Sequence, residues 1–379
     1  MPEKKFKVGV IGTGMIANAA FLPAYVNVED RVEVVAVADT RIESAKDTAA
    51  RFEIPNVYDD PQKMLEEMEL DLVTICTPNN FHKRLSIAAF RAGINVVCEK
   101  PVAVTYADAV EMFDEADKAG KNLFVAQTMR FSDSTISAKR IMDAGRIGEP
   151  YYGDISIIRR RGIPTWGYFH RKDFNFGGPF CDLGVHIIDS LLFLTGNPKI
   201  KSVHGKAWAK IANQNEDIET SLAESGAFEG VFTPLAYNND DFNVEDMSAG
   251  LIRFEGDLLV NFKFSWAVNI PNGEYMHIAG TKGGLQILPQ MKLLTNQDGF
   301  QVEVSPHQVV RKSYASLTPF YGHWSLVEHI LDVFDGKCEC IIKKEELLNT
   351  VGAIEAFYLS SEQDRDVKIS ELAGYPAGK

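Results

Sequence analysis

The first third of the chain alternates two hydrophobic rhythms with little noise. Short runs rich in valine and isoleucine occur at Lys7–Ile11, Val32–Ala38, Leu72–Thr77, Asn95–Cys98 and Leu123–Ala126, with a weaker run at Asn56–Tyr58. Between them, apolar positions recur at helical spacing over Met15–Val28, Ile42–Phe52, Pro61–Met68, His82–Ala92 and Tyr106–Ala119. A strand apolar on both faces must be covered on both faces, so this alternation predicts a parallel sheet flanked by helices. Residues 1–127 are therefore expected to form a doubly wound α/β domain.

Beyond that point the rhythm changes. Ser137–Ala144 reads as a helix closed by Gly145, Tyr151–Arg159 alternates like a strand, and Cys181–Leu194 is helical again. Strand-like segments then dominate: Ser202–Ala209, Ala249–Phe254, Leu258–Trp266, Tyr275–Ala279 and Leu285–Leu288, with glycine turns between several of them. Phe320–Phe334 and Glu345–Ser360 carry helical apolar stripes and read as core-packing helices. The pattern predicts a second domain over 128–379, of α+β type with a mostly antiparallel sheet. Asn213–Asp241 is polar and poorly patterned, which predicts a long loop or insertion.

Composition narrows the partners. The 379 residues carry 39 basic and 52 acidic side chains, net −13, which argues against a nucleic-acid backbone or an anionic membrane as partner. No uninterrupted apolar run reaches the roughly 18 residues that a bilayer crossing needs. The amino terminus enters the first strand without the layout of a signal peptide, so a cytoplasmic location is expected. Cys76, Cys98, Cys181, Cys338 and Cys340 are odd in number and mostly sit in apolar runs, as free thiols do in a reducing compartment. Cys338 and Cys340 form the one close pair, and with no second pair or histidine cluster beside them no metal site is expected.

Gly12-Thr13-Gly14-Met15-Ile16-Ala17 follows the first strand and opens a helix. Gly12 permits the tight turn, Gly14 lets the backbone approach a pyrophosphate at the helix N-terminus, and Ala17 allows close packing. A second strand ends in Asp39, 25 residues past Gly14, placed to accept hydrogen bonds from an adenosine ribose. Its charge favours NAD over NADP, while Arg41 two residues on keeps NADP open.

Two later stretches carry candidate chemistry. The fifth strand ends in Glu99-Lys100-Pro101, at the sheet edge where such folds bind ligands. Asp182 and His186 lie four residues apart and Asp189 three further on, so a helix would bring all three to one side. Such a set could be a metal site, a histidine satisfied in a core, or a proton-transfer pair in which the carboxylate orients the imidazole. Beside a dinucleotide loop and a strand-end lysine, the proton-transfer pair is preferred.

The glycine loop, Thr77-Pro78-Asn79-Asn80-Phe81-His82, Gly93–Pro101 and Gly177–Asp189, taken in order, resemble the Gfo/Idh/MocA family over essentially the whole chain. The resemblance implies an N-terminal Rossmann domain and a C-terminal domain with an open, mostly antiparallel sheet that often builds a homodimer or homotetramer. It implies that Lys100, Asp182 and His186 are catalytic, that the Lys100–Pro101 peptide is cis, and that Thr77, Pro78, Asn79, His82 and Glu99 line the cofactor side. The implied activity is hydride transfer between NAD(H) and a secondary alcohol or ketone carbon of a sugar or cyclitol. An NAD-dependent glycosidase and a non-enzymatic sensor are alternatives on the same scaffold. Gly177-Gly178-Pro179 departs from the usual triple glycine, and Gln127-Thr128-Met129-Arg130-Phe131 stands where several members carry a tyrosine. Arg130, Arg161 and Trp166 are the further substrate-side candidates, since guanidinium and indole groups suit a polyhydroxylated ring.

Overall fold

The computed structural model describes residues 5–213, 221–306 and 318–376. Six strands, β1 (Phe6–Ile11), β2 (Val32–Ala38), β3 (Asn56–Tyr58), β4 (Leu72–Ile75), β5 (Asn95–Cys98) and β6 (Leu123–Val125), form one sheet in the order β3-β2-β1-β4-β5-β6. Every pairing in it is parallel. The order reverses between β1 and β4, and both strands end at the same edge, which opens a crevice beyond their carboxyl ends. The fully buried apolar runs predicted this sheet correctly.

The second sheet has nine strands: β7 (Pro150–Ile158), β8 (Ile200–Trp208), β9 (Met247–Phe254), β10 (Leu259–Ser265), β11 (Gly273–Gly280), β12 (Gly284–Leu288), β13 (Lys292–Gln297), β14 (Phe300–Val304) and β15 (Val367–Lys368). Their order is β14-β13-β12-β11-β7-β10-β9-β8-β15, antiparallel except where β7 pairs with β10. The hairpin of β13 and β14 adds a pair that the apolar pattern did not single out, because both strands are largely exposed.

One face of this sheet packs on the helix Val185–Thr195 and on Phe180, whose ring stacks on Phe357 with centroids 4.0 Å apart. The helical run Lys172–Thr195 is long and apolar enough by composition to cross a bilayer, but 83% of its apolar window is buried inside the fold.

The two cores are joined by the carboxyl-terminal helices. Leu326, Val327, Ile330 and Leu331 of the helix Tyr321–Phe334 pack into the first core. The following helix, Lys344–Gln363, gives Leu347 and Val351 to the first core and Ile354 and Phe357 to the second. Each such buried side chain contributes about 1.5–3 kcal/mol, so this helix fastens one core to the other and fixes the cleft between them.

Candidate functional site

A single cleft of about 900 Å³ runs from the glycine loop across the carboxyl edge of the parallel sheet to the face of the second sheet. Gly12 turns with φ +90°, and a Cβ there would meet the Cys76 carbonyl oxygen at 2.7 Å, so no other residue fits between β1 and β4. A Cβ on Gly14 would meet nothing within 4 Å, which leaves open space where a diphosphate would lie. Gly12, Gly14, Met15, Ile16, Asp39, Thr77, Pro78, Asn79 and Glu99 all line the cleft, and these residues fit a dinucleotide.

Asp39 is held for that task. Its carboxylate accepts from the Thr13 backbone N–H at 2.8 Å, the Thr13 hydroxyl at 3.0 Å and the Arg41 N–H at 2.8 Å. Thr13 is itself buried and outside the cleft lining, so its part is to fix Asp39 rather than to touch a cofactor. His82 likewise departs from expectation. It is fully buried, with Nδ1 2.8 Å from the Pro101 carbonyl and Nε2 2.9 Å from the Thr77 carbonyl, so it clamps the two loops instead of lining the cofactor side. Asn79 and Asn80 reach the other domain, donating to the carbonyls of Asn175 and Asp173 at 3.0 and 2.7 Å.

Lys100, Asp182 and His186 meet at the centre of the cleft. The Lys100–Pro101 peptide is cis, as the resemblance implied. Lys100 Nζ donates to Asp182 Oδ1 at 2.9 Å and to the Asp182 carbonyl at 3.1 Å. Burial pushes the lysine down and the aspartate up, but the mutual attraction outweighs it. Lys100 ends above the ordinary lysine value and Asp182 below the ordinary carboxylate value.

Asp182 does not orient His186 as expected. Among the described residues its carboxylate bonds are to Lys100 and to the Trp266 indole N–H at 3.2 Å. The reason is local: Phe180–Gly184 is a π-turn rather than part of a regular α-helix, which changes the angle between positions 182 and 186. His186 Nδ1 has no hydrogen-bond partner among the described residues. Burial and the Lys100 charge push the imidazole down to about 3, so the ring is neutral. Asp189 turns away into the core.

Arg130 and Arg161 are corrected. Arg130 is 0% exposed and outside the cleft lining. The short helical turn Thr128–Phe131 aims it inward, where its guanidinium pairs with Asp189 through two bonds, with Glu346, and with the Ile341 carbonyl at 2.9 Å. Arg161 donates to Asn269 Oδ1 at 3.0 Å and to the Arg160 carbonyl at 2.6 Å, also away from the cleft. Arg159, the first residue after β7, lines the cleft instead, and its guanidinium reaches the Ser225 carbonyl at 3.2 Å.

Trp166 does line the cleft, as part of a larger aromatic wall. From Trp266 on Asp182 the rings run to Phe169, Trp166 and Phe232, with successive centroids 6.4, 4.6 and 5.6 Å apart. Phe232 belongs to the stretch read as a loop or insertion. Of that stretch, 214–220 lie outside the described residues, and the remainder packs on the cleft: Trp166 Nε1 donates to Ser225 Oγ at 3.0 Å, and Arg51 to the Val231 carbonyl. Sequence reasoning also missed His323. Its Nε2 lies 3.2 Å from Glu99 Oε1, and the first turn of its helix lines the cleft. Burial raises the Glu99 carboxyl, but the bond and charge of His323 and the Lys100 charge outweigh it and leave it below the ordinary value. A histidine in the first turn of the helix, on the side of its apolar stripe, was the available signal.

Residues 6–127 match GFO_IDH_MocA, the oxidoreductase family with an NAD-binding Rossmann fold, and residues 135–286 match the GFO/IDH/MocA C-terminal domain. The chain is 30% identical over 371 residues to the D-glucoside 3-dehydrogenase of Escherichia coli (strain K12), covering 97% of this chain and 99% of that protein. It is 26% identical to the D-apiose dehydrogenase of Paraburkholderia graminis, covering 97% and 91%. Among solved structures, an oxidoreductase domain protein from Kribbella flavida superposes with a TM-score of 0.80 at 21% identity, covering 97% of this chain and 100% of that one. A levoglucosan dehydrogenase solved with NADH and levoglucosan gives 0.77 at 19% identity, covering 97% and 100%. Matched in order through both domains, the chain belongs to the Gfo/Idh/MocA family of NAD-binding oxidoreductases.

Proposed function

We propose that the chain transfers hydride between NAD(H) and a secondary alcohol or ketone carbon of a sugar or cyclitol, with glycosides the first class to test. The convergence of Lys100, Asp182 and His186 in the cleft that also holds the glycine loop carries this reading. NAD, when bound, supplies the hydride acceptor. Gly12, Gly14, Met15, Ile16, Asp39, Thr77, Pro78 and Asn79 are the residues that would hold it.

The remaining chemistry belongs to the chain. Oxidising an alcohol removes a hydroxyl proton as the carbon loses hydride. Lys100 has two of its three N–H bonds committed to Asp182, which leaves one for the substrate oxygen, where its charge stabilises developing alkoxide. Neutral His186 is the proton acceptor. Burial and the Lys100 charge hold the ring neutral, and its Nδ1 has no hydrogen-bond partner among the described residues. Trp266 fixes the second Asp182 oxygen, and the aromatic wall offers a stacking surface for the apolar face of a sugar ring.

The whole-length relationship to a D-glucoside dehydrogenase and an apiose dehydrogenase supports the sugar assignment. The outer face of the nine-stranded sheet exposes Tyr275 and Leu294, which suits a homodimer or homotetramer.

The test is a panel of methyl and phenyl glucosides, free aldoses and inositols with NAD or NADP, following the absorbance of reduced nicotinamide. Turnover with at least one sugar or cyclitol is expected. Glycoside cleavage without net nicotinamide reduction, or no response from any compound, overturns the reading.

A further inference from the structure

The acidic dipeptide Glu245-Asp246 lies outside the cleft lining, yet two separate chains of bonds lead from it to Asp182. The first runs through the backbone. Glu245 is buried, and its carboxylate accepts from the Gly178 N–H at 2.8 Å, the Phe180 N–H at 3.1 Å and the Tyr358 hydroxyl at 2.8 Å. The Gly178 carbonyl in turn accepts from the Asp182 N–H at 3.0 Å. The second chain runs through the indole. The Trp266 backbone N–H donates to the Asp246 carbonyl at 2.9 Å, while Trp266 Nε1 holds Asp182 Oδ2. Asp246 is itself locked, its Oδ2 accepting from the N–H groups of Lys210, Ile211 and Ala212 at 2.8, 2.6 and 3.0 Å.

The fit at the turn is close. A Cβ on Gly178 would collide with the Glu245 carbonyl, and one on Gly177 with the Tyr358 hydroxyl. This accounts for the two glycines ahead of the catalytic turn.

We propose that Glu245 is a positioning residue for the reaction, holding the Gly177–Asp182 turn through Gly178 and Phe180 so that the Asp182 carboxylate meets the Lys100 ammonium. The proposal rests on the reading of Asp182 and Lys100 as catalytic. Three donors converge on Glu245, and only a carboxylate has the acceptor capacity for all of them. A glutamine offers one acceptor oxygen and sets an NH₂ group against donors.

This arrangement has a pH consequence. Burial pushes the Glu245 carboxyl up to about 7, against the opposing pull of its hydrogen bonds. The titratable groups facing it are Tyr358 on the last helix and Cys181 on the turn. Burial raises both, so neither ionises in the neutral range. Acidification through about pH 7 therefore protonates Glu245, turns one of its acceptor oxygens into a donor and changes how the Gly178 and Phe180 N–H groups are held. An acidic limb near neutrality would ordinarily be given to a histidine, but His186 titrates far below it.

The experiment compares wild type, Glu245→Gln, Tyr358→Phe and Asp182→Asn between about pH 5.5 and 8.5. It reads kcat and KM with the best compound of the panel. Hydrogen exchange of residues 177–184 is read without substrate and corrected for its intrinsic pH dependence. Glu245→Gln is expected to lower kcat roughly ten- to a hundredfold with KM for NAD unchanged, and to abolish the limb near pH 7. Tyr358→Phe is expected to move that limb to higher pH, because the carboxylate loses a stabilising bond. Exchange at 177–184 is expected to quicken in Glu245→Gln, and in wild type to slow as pH falls through about 7, because the buried carboxyl binds its proton more tightly in the closed turn than in an opened one.

Unchanged kcat or a persisting limb in Glu245→Gln overturns the proposal, as does exchange insensitive to both substitution and pH. Full activity in Asp182→Asn instead sinks the catalytic reading itself. Activity lost in Asp182→Asn but kept in Glu245→Gln sinks the positioning role alone. If no panel compound turns over, the exchange data decide. If Glu245→Gln does not fold, Tyr358→Phe and the wild-type pH series decide.

Discussion

Lys100 grips Asp182 twice, through the side-chain oxygen at 2.9 Å and the main-chain carbonyl at 3.1 Å. Each keeps the other ionised against burial, and one ammonium proton remains uncommitted for a substrate oxygen. Lys100→Met is therefore expected to lower kcat about a hundred- to a thousandfold, the usual loss for one donor at a developing oxyanion. The Asp182 carboxyl, left with the indole N–H alone, should rise and add a new acidic limb to the rate profile. Lys100→Arg is not expected to rescue, because a planar fork cannot reproduce a point donor. Steady-state kinetics at saturating NAD check this, and near wild-type kcat in Lys100→Met removes the residue from the reaction.

Arg130 is a structural residue, and the prediction follows from its partners. Removing it leaves Asp189 and Glu346 facing each other without their cation, and Asp189 already sits above the ordinary carboxylate value through burial. Breaking a buried pair from one side costs about 3–5 kcal/mol. Arg130→Met is expected to lose that much in urea unfolding, while KM for the sugar in the folded fraction stays within about twofold. A raised KM with unchanged stability would return Arg130 to the substrate side.

Arg130 also marks where the sequence stops being legible. Valine- and isoleucine-rich runs announce a parallel sheet because total burial leaves no alternation to misread, and Gly12 announces its turn because a side chain has no room there. Lys100, Asp182 and His186 were readable because each sits in a local motif tied to an element end. The direction of an arginine is not local. Arg130 faces inward because Asp189 and Glu346, 59 and 216 residues away, offset its desolvation. Arg159 and Arg161 share the parity of one strand face, so alternation could not separate them; β7 ends at Ile158 and Arg161 is carried out to Asn269, while His323 was hidden by the apolar stripe of its own helix. Thr13 and His82 were expected on the cofactor side, but both lie one layer behind the cleft lining.

Asp39 accepts three hydrogen bonds from Thr13 and Arg41 and still lines the cleft, so its charge stands where an adenosine ribose would lie. A carboxylate accepts from a 2′-hydroxyl and repels a 2′-phosphate. Asp39→Ala is expected to weaken NAD roughly tenfold and to bring NADP affinity level with it, since Arg41 Nε loses its acidic neighbour 3.6 Å away. Fluorescence titration of both dinucleotides gives the ratio. A wild-type preference for NADP would sink the reading of Asp39.

The aromatic wall separates binding from chemistry along its length. Phe232 lies at its outer end, with two rings between it and the Trp266 that holds Asp182, so it can touch a sugar or its substituent but not the reacting oxygen. Phe232→Ala is expected to raise KM about two- to tenfold, the worth of one ring contact, with kcat unchanged. Trp266→Phe keeps the ring but deletes the indole N–H on Asp182 Oδ2. A hydrogen bond to a charged group is worth about 1.5–3 kcal/mol, so kcat should fall about ten- to a hundredfold while KM holds. The two variants thus move opposite parameters. If Phe232→Ala lowers kcat instead, the insertion acts on the reacting groups and not on the substrate's outer portion. If Trp266→Phe alters KM alone, the indole is only part of the wall and the second Asp182 oxygen is held by something else.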